Sequence, residues 1–246
     1  QAGSDVLAMG GWRVGAYVGQ LDGTASLSGS AGGVMDQPVG TDDLRGHYLG
    51  VYGTWRDPSG MYVDTVLQSG RESYTLRPYG GTRVAGKGDS LLASLEVGRA
   101  FALGDSGWQV EPQAQLVHER QDIDDAQISG AAVSQDSDGS RLGRAGVLVK
   151  GRMAQGGGAA LQPYGRVNVY HRFSGTDMAR YVAPGGTAQV QAPYGGTSTE
   201  AALGFTLQMN SAIALYGEVG RMWANGGDDS QVRSSLDGSL GLRLRW

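Results

Sequence analysis

The segment TEAALGFTLQMN, Thr199–Asn210, decides the fold once it is read in twos. Ala201, Leu203, Phe205, Leu207 and Met209 fall on one side. Glu200, Ala202, Gly204, Thr206, Gln208 and Asn210 fall on the other. Successive side chains of a strand point to opposite faces, so strict period two over ten or more residues marks a strand with one apolar and one polar face. The closing residues SLGLRLRW, Ser239–Trp246, repeat the pattern: Leu240, Leu242, Leu244 and Trp246 lie against Ser239, Gly241, Arg243 and Arg245. So do WQVEPQAQLVHER (108–120) and LQPYGRVNVYHRF (161–173). Applied to the whole chain, the same spacing predicts ten strands, over 10–23, 44–56, 61–76, 90–103, 108–121, 141–153, 161–173, 199–210, 212–225 and 233–246. Most are longer than the usual five or six residues.

Composition fits an all-β chain without an ordinary core. Of 246 residues 43 are glycine and only 3 phenylalanine, and capped segments of helical period are missing. No run of about 18 apolar residues is present that would cross a bilayer as a helix. The absence of cysteine removes disulfides and thiolate metal sites. A net charge of -4 argues against nucleic acid as a partner. No secretory signal opens the sequence, so a leader has been removed or the chain is part of something longer.

Periodicity leaves open which face is outside; the connections and tryptophans decide it. TASLSGSAGGVMDQPVGTDD (24–43), RPYGGTRVAGKGD (77–89), DIDDAQISGAAVSQDSDGS (122–140) and SGTDMARYVAPGGTAQVQAPYGGTS (174–198) are long, and NGGDDSQ (225–231) is moderate. They alternate with the short DPSG (57–60), GDSG (104–107) and NSA (210–212) and the intermediate AQGGGAA (154–160). Every long connection therefore lies at one end of an up-and-down meander and every tight turn at the other, as in outer-membrane barrels. Trp12, Trp55, Trp108 and Trp246 fall at the tight-turn end and Trp223 at the other, all on the apolar face. An amphipathic indole is most stable at headgroup level, so this distribution reads as a membrane girdle. A soluble, lipocalin-like barrel with the apolar face inward accounts for the alternation equally well, but for neither the loop sorting nor the tryptophans.

At this point the residues resemble a family. The terminal Ser239, Gly241, Leu244 and Trp246 fit the signal read by the barrel assembly machinery of the outer membrane. The stretch GHYLGVYGTWRDPSGMYVDTVLQSGRESY (46–74) resembles a hairpin of the translocator (β) domain of type V autotransporters, with an aromatic-rich strand, a short turn and a "GxYxD"-like strand. GGWRVGAYVGQLDG (10–23), LGRAGVLVKGR (142–152) and QPYGRVNVYHRF (162–173) are similar to that family in order and spacing, most closely to its pertactin and BrkA branch. The resemblance implies one transmembrane, up-and-down antiparallel β-barrel over residues 1–246, in the Gram-negative outer membrane. Its C-terminus would be periplasmic and its long loops extracellular. The implied function is to anchor an autotransporter and pass its N-terminal passenger to the cell surface. Implied partners are outer-membrane lipid, the assembly machinery and the passenger; a monomer without cofactor is expected. The family usually has twelve strands, so the pore helix and first two strands are expected to be missing from this chain. Ten is even, and a smaller closed barrel is geometrically possible.

On this reading the polar face lines a lumen through Arg13, Arg56, Asp64, Glu96, Glu111, Glu119, Arg144, Lys150, Arg166, Arg172, Glu200, Glu218, Asp237, Arg243 and Arg245. Mixed signs suggest a hydrated, internally paired lining. No catalytic residue is assigned, with one conditional exception. In one branch of the family acidic residues on successive strands assist self-cleavage of the passenger, and Asp64, Glu96 and Glu111 are the matching candidates here. Spacing places Asp64 and Glu111 low in the pore and Glu96 higher, and clustered carboxylates raise one another's pKa. A passive porin-like channel and a rim-active outer-membrane enzyme are the alternatives. For the enzyme, His118 and His171 lie near Asp122, Asp124 and Asp177, but both have lipid-facing parity, as does His47. No metal site is expected.

Overall fold

The computed structural model describes residues 1–31, 34–79, 81–128, 130–137, 139–154, 159–225 and 234–244, and among them every regular element is a strand. In chain order these are β1 (Ala2–Met9), β2 (Trp12–Ala31), β3 (Val34–Arg56), β4 (Met61–Pro78), β5 (Val84–Arg99), β6 (Phe101–Ala102), β7 (Trp108–Ile123), β8 (Ala126–Ile128), β9 (Ala131–Ser137), β10 (Ser140–Gly151), β11 (Met153–Ala154), β12 (Ala160–Ala183), β13 (Gly186–Gln208), β14 (Ile213–Ala224) and β15 (Ser235–Leu244). Eleven of them make one antiparallel meander in the order β1-β2-β3-β4-β5-β7-β10-β12-β13-β14-β15.

Two expectations are corrected here. The wall has eleven described strands rather than ten, because residues 2–9 form β1 and turn into β2 at Gly10–Gly11. Both glycines have positive φ, +61 and +84, which a two-residue hairpin turn of this hand requires. A register shift between Asp5 and Leu7 breaks the period of two, which hides β1 from a reading by alternation. Second, several long connections are not irregular loops. β2 pairs with β3 from Trp12↔Trp55 to Ala31↔Val34, and β12 with β13 from Ala160↔Gln208 to Ala183↔Gly186. These hairpins run well past the roughly ten residues that span a bilayer. The segment after β7 adds its own hairpin, β8–β9, and β9 pairs with β12 above the start of β10.

An odd count also bears on closure. Strands of a meander alternate in direction, so β1 and β15 run the same way and would meet as a parallel pair. A closed antiparallel wall contains an even number. The β1–β15 seam would therefore be parallel, unlike the described pairings of the wall. Gln1, Tyr17 and Asp64 nonetheless share one space of about 990 Å³ with Tyr216 and Arg243, so the two ends of the sheet curl round the same interior.

The register measures the tilt of the strands. One hydrogen-bonded rung runs Trp223↔Thr199↔Val169↔Ala145↔Ala114↔Val97↔Val63↔Trp55↔Trp12. It starts ten residues above the tight-turn end of β14, at Ile213, and finishes at the first residue of β2. With a rise of about 3.3 Å per residue and about 4.8 Å between strands, that fall over eight strand steps is a tilt of about 40°. Transmembrane barrels tilt by roughly 35–45°.

Polarity is inverted relative to a soluble core. Outward Leu203 and Leu240 are 68% and 75% exposed, whereas Glu111, Asn168 and Glu200 are buried on the inner face. The glycines gain a reason from the same face. Tyr17, Tyr48, Tyr52, Tyr62, Tyr74, Tyr164, Tyr194 and Tyr216 each lie opposite a glycine of the next strand: Gly50, Gly19, Gly15, Gly98, Gly86, Gly204, Gly175 and Gly241. In every pair a β-carbon on the glycine would fall within 2.7 Å of the ring. The rings therefore lie flat along the wall and leave the bore open.

Candidate functional site

The inner wall carries a continuous polar network. On β4, β5, β7 and β10, Arg144 Nη2 donates to Glu96 Oε2 at 2.7 Å, and its other nitrogens donate to Gln115 at 2.9 Å and Gln113 at 3.2 Å. Tyr62 Oη donates to the second Glu96 oxygen at 2.7 Å. Lys150 Nζ lies 2.5 Å from Glu111, which also accepts from Gln113 at 2.9 Å. On β12, β13 and β14, Arg166 bridges two carboxylates: Glu200 at 2.8 Å and Glu218 at 2.5 Å. Tyr164 donates to Glu218 and Tyr170 to Glu200, at 2.7 and 2.6 Å. Asn168, 1% exposed, joins the halves, since its Oδ1 accepts from Arg144 at 3.3 Å while its Nδ2 donates to Glu200 at 2.8 Å. Seven neighbouring strands are thereby tied through their inner faces, around a cavity of about 720 Å³.

The expected lumen residues within the described part of the chain each have a definite place. Arg13 sits opposite Thr54, whose hydroxyl donates to Asp64 at 2.5 Å. Arg56 lies over the Tyr62 ring, 5.3 Å from its centroid. Glu119 and Arg172 are high, near the hairpins; Arg172 donates to Ser140 at 3.1 Å and covers the Tyr194 ring at 4.5 Å. Asp237 is beside Gly220, and Arg243 faces the space near the seam. Arg245 lies outside the described residues. The three carboxylates considered for self-cleavage are only partly brought together. Asp64 and Glu96 are direct cross-strand partners on one rung, and the rungs climb from β4 to β5, so Glu96 lies the higher of the two. Gln115 is what faces Glu96 on β7, so Glu111 lies four residues nearer the tight turns. Each has a donor of its own: Thr54, Arg144 and Lys150 respectively.

Outside, Trp12 and Trp55 are cross-strand neighbours with ring centroids 6.5 Å apart, and Trp108 lies over Gly151. Trp223 stands near the hairpin end with the Arg221 guanidinium 5.4 Å from its ring. Within the terminal segment, Ser239 pairs with Glu218, Gly241 lies under the Tyr216 ring and the Leu244 backbone pairs with Ile213. Trp246 lies outside the described residues. His118 and His171 are exposed on the outer face, and the His171 ring meets Phe173 at 5.1 Å. Among the described residues no group of three or more His, Asp or Glu is placed to hold a metal. Reading by charge misses the uncharged members of the network, Tyr62, Gln113, Gln115, Tyr164, Asn168 and Tyr170. Their signal is a polar amide or phenol at inward parity, one register position from a charge.

With this geometry the chain can be set beside known proteins. The family model described as the autotransporter beta-domain matches residues 1–220. The pertactin autotransporter of Bordetella bronchiseptica is 31% identical over 215 residues, which cover 85% of this chain and 22% of that protein. The BrkA autotransporter of Bordetella pertussis is 31% identical over 176 residues, 70% of this chain and 16% of that one. The chain thus spans about a fifth of the length of these relatives. The crystal structure of the beta domain of the Bordetella autotransporter BrkA matches 97% of this chain and 85% of its own, with a TM-score of 0.64 at 22% identity. The transport unit of AIDA-I from Escherichia coli matches 96% of this chain and 84% of its own, with a TM-score of 0.67 at 16% identity. With the family model matching residues 1–220 and a relative 31% identical across 85% of the chain, this protein belongs to the autotransporter beta-domain family.

Proposed function

We propose that this domain anchors a longer precursor in the Gram-negative outer membrane and provides the passage by which an N-terminal passenger reaches the cell surface. The inverted polarity of the sheet carries this reading: apolar residues outward, and a network of ion pairs and amides inward. Where Glu96, Glu111, Glu200 and Glu218 are paired with Arg144, Lys150 and Arg166 along the wall, they offer little fixed charge to hold a crossing chain, so a polypeptide can slide past them. The structural neighbour from AIDA-I is itself a transport unit. The proposed orientation puts the tight turns and terminal strand on the periplasmic side and the long hairpins outside. Proposed partners are outer-membrane lipid around the belt, the barrel assembly machinery at the terminal strand, and the covalently continuous passenger.

The test is surface display in cells. A precursor carrying an epitope-tagged passenger should expose the tag to external protease while the barrel migrates in its folded, heat-modifiable form. A folded barrel whose tag stays protected would sink the translocator reading and leave a passive channel. Self-cleavage by Asp64, Glu96 and Glu111 is a separate proposal with its own assay. The Asp64→Asn, Glu96→Gln, Glu111→Gln precursor should accumulate uncut on a gel; undiminished processing rejects the assignment.

A further inference from the structure

Two features of the outer face meet at Arg221. The first is a shallow apolar groove of about 510 Å³ lined by Val147, Val167, Leu203, Val219 and Leu236, with Arg221 at its edge. It follows one rung of the sheet, Val147↔Val167↔Ala201↔Arg221↔Leu236, and the small residues Gly165 and Ala201 keep its floor low. Because the rungs climb across the tilted strands, the groove rises from mid-belt at Val147 towards the hairpin end at Arg221.

The second feature is a row of outward basic side chains along that upper margin. Arg221 lies over the Trp223 ring. His171 is on β12, two strands along, with Nδ1 3.0 Å from Thr197 Oγ1. Arg141 and His118 face each other on β10 and β7. Arg45, Arg71 and Arg120 on the same outer face are neutralised by Asp22, Asp89 and Asp122. Arg221 and Arg141 have no such carboxylate partner among the described residues.

An unneutralised guanidinium at the margin of an apolar belt is stabilised when the lipid supplies the anion, since surface cations attract anionic headgroups. An amphiphile that lays an acyl chain in the groove delivers its headgroup to Arg221. We infer that the groove and Arg221 bind one anionic, phosphate-bearing lipid of the surrounding leaflet, with its chain along the Val147–Val219 floor and its phosphate on the guanidinium. The inference rests on the proposed membrane insertion and adds a lipid-specific site to it.

The experiment uses the precursor purified from outer membranes in zwitterionic detergent. It is mixed with phosphatidic acid, with phosphatidylcholine or with inorganic phosphate, and bound lipid is measured by native mass spectrometry. Phosphatidic acid should bind in preference to phosphatidylcholine. Arg221→Gln should weaken it about fivefold, the loss expected for one surface cation. Ala201→Trp, which fills the groove, should weaken it as well, and Arg120→Gln should leave it unchanged. Equal binding by Arg221→Gln and the unaltered protein would overturn the site. Competition by inorganic phosphate as strong as that by phosphatidic acid would also overturn it, since it would mean that a free anion suffices. Heat-modifiable migration is followed in parallel, so that loss of the barrel is told apart from loss of the lipid.

Discussion

A β-carbon on Gly98 would lie 2.6 Å from the Tyr62 ring, and Tyr62 Oη is the donor that holds Glu96. Gly98→Val is therefore predicted to push the ring off the wall and cost about 1–3 kcal/mol, the usual range for overpacking. A lowered temperature of conversion from the folded to the unfolded gel form would show it, and an unchanged temperature would contradict the flat-ring account. Arg144 is the hub of the network, with a side chain only 12% exposed. Arg144→Met leaves Glu96 without its cation; removing one partner of a buried pair costs about 3–5 kcal/mol, and a wet lumen moves this towards the low end. Adding Glu96→Gln should recover part of the loss in chemical denaturation, as a coupled pair requires. At this scale the charged members are legible in the sequence from parity alone. The partnerships are not, because Arg166 reaches Glu200 and Glu218 only through a register that alternation does not set.

Among elements, the tight turns are specified locally. Gly10 and Gly11 supply the positive φ that β1–β2 needs, and a left-handed conformation costs a side-chain-bearing residue about 1–2 kcal/mol. At the β3–β4 turn, Asp57 accepts from Ser59 Oγ at 2.7 Å and from the Met61 amide at 3.1 Å. The Ser59 bond is the main cause that holds the Asp57 carboxyl below its ordinary pKa. The folded pKa is the lower one, so this small contribution is present above the unfolded pKa and fades as pH falls through the folded one. The long hairpins differ. Residues 174–194 at the β12–β13 tip lie beyond the belt, apart from the network on 162–170. Replacing 176–192 by a two-residue turn should leave heat-modifiable migration of the barrel intact; a barrel that no longer folds would show the hairpin to be structural. Sequence reading sees these stretches as loops because their polarity no longer alternates once both faces are wet. Only the pairing in space makes them strands.

For the whole molecule, the aromatic terminus sets the prediction. Trp246→Ser is expected to lower outer-membrane insertion strongly, measured as the heat-modifiable fraction in membranes; normal insertion would remove the terminal strand's role as an assembly signal. The sequence by itself determined the all-β class, the two-faced strands, the sorting of long and short connections and the outward tryptophans. Each of these follows from alternation and local turn chemistry, which act over a few residues. The tertiary structure alone decided the strand count, because β1 carries a register shift that erases its period. It alone decided the tilt of about 40°, which is a property of register summed over many strands. It also decided which carboxylate meets which cation and which tyrosine covers which glycine. Those are cross-strand relations between residues up to 52 positions apart, as for Arg166 and Glu218, and only the pairing of the strands brings them face to face.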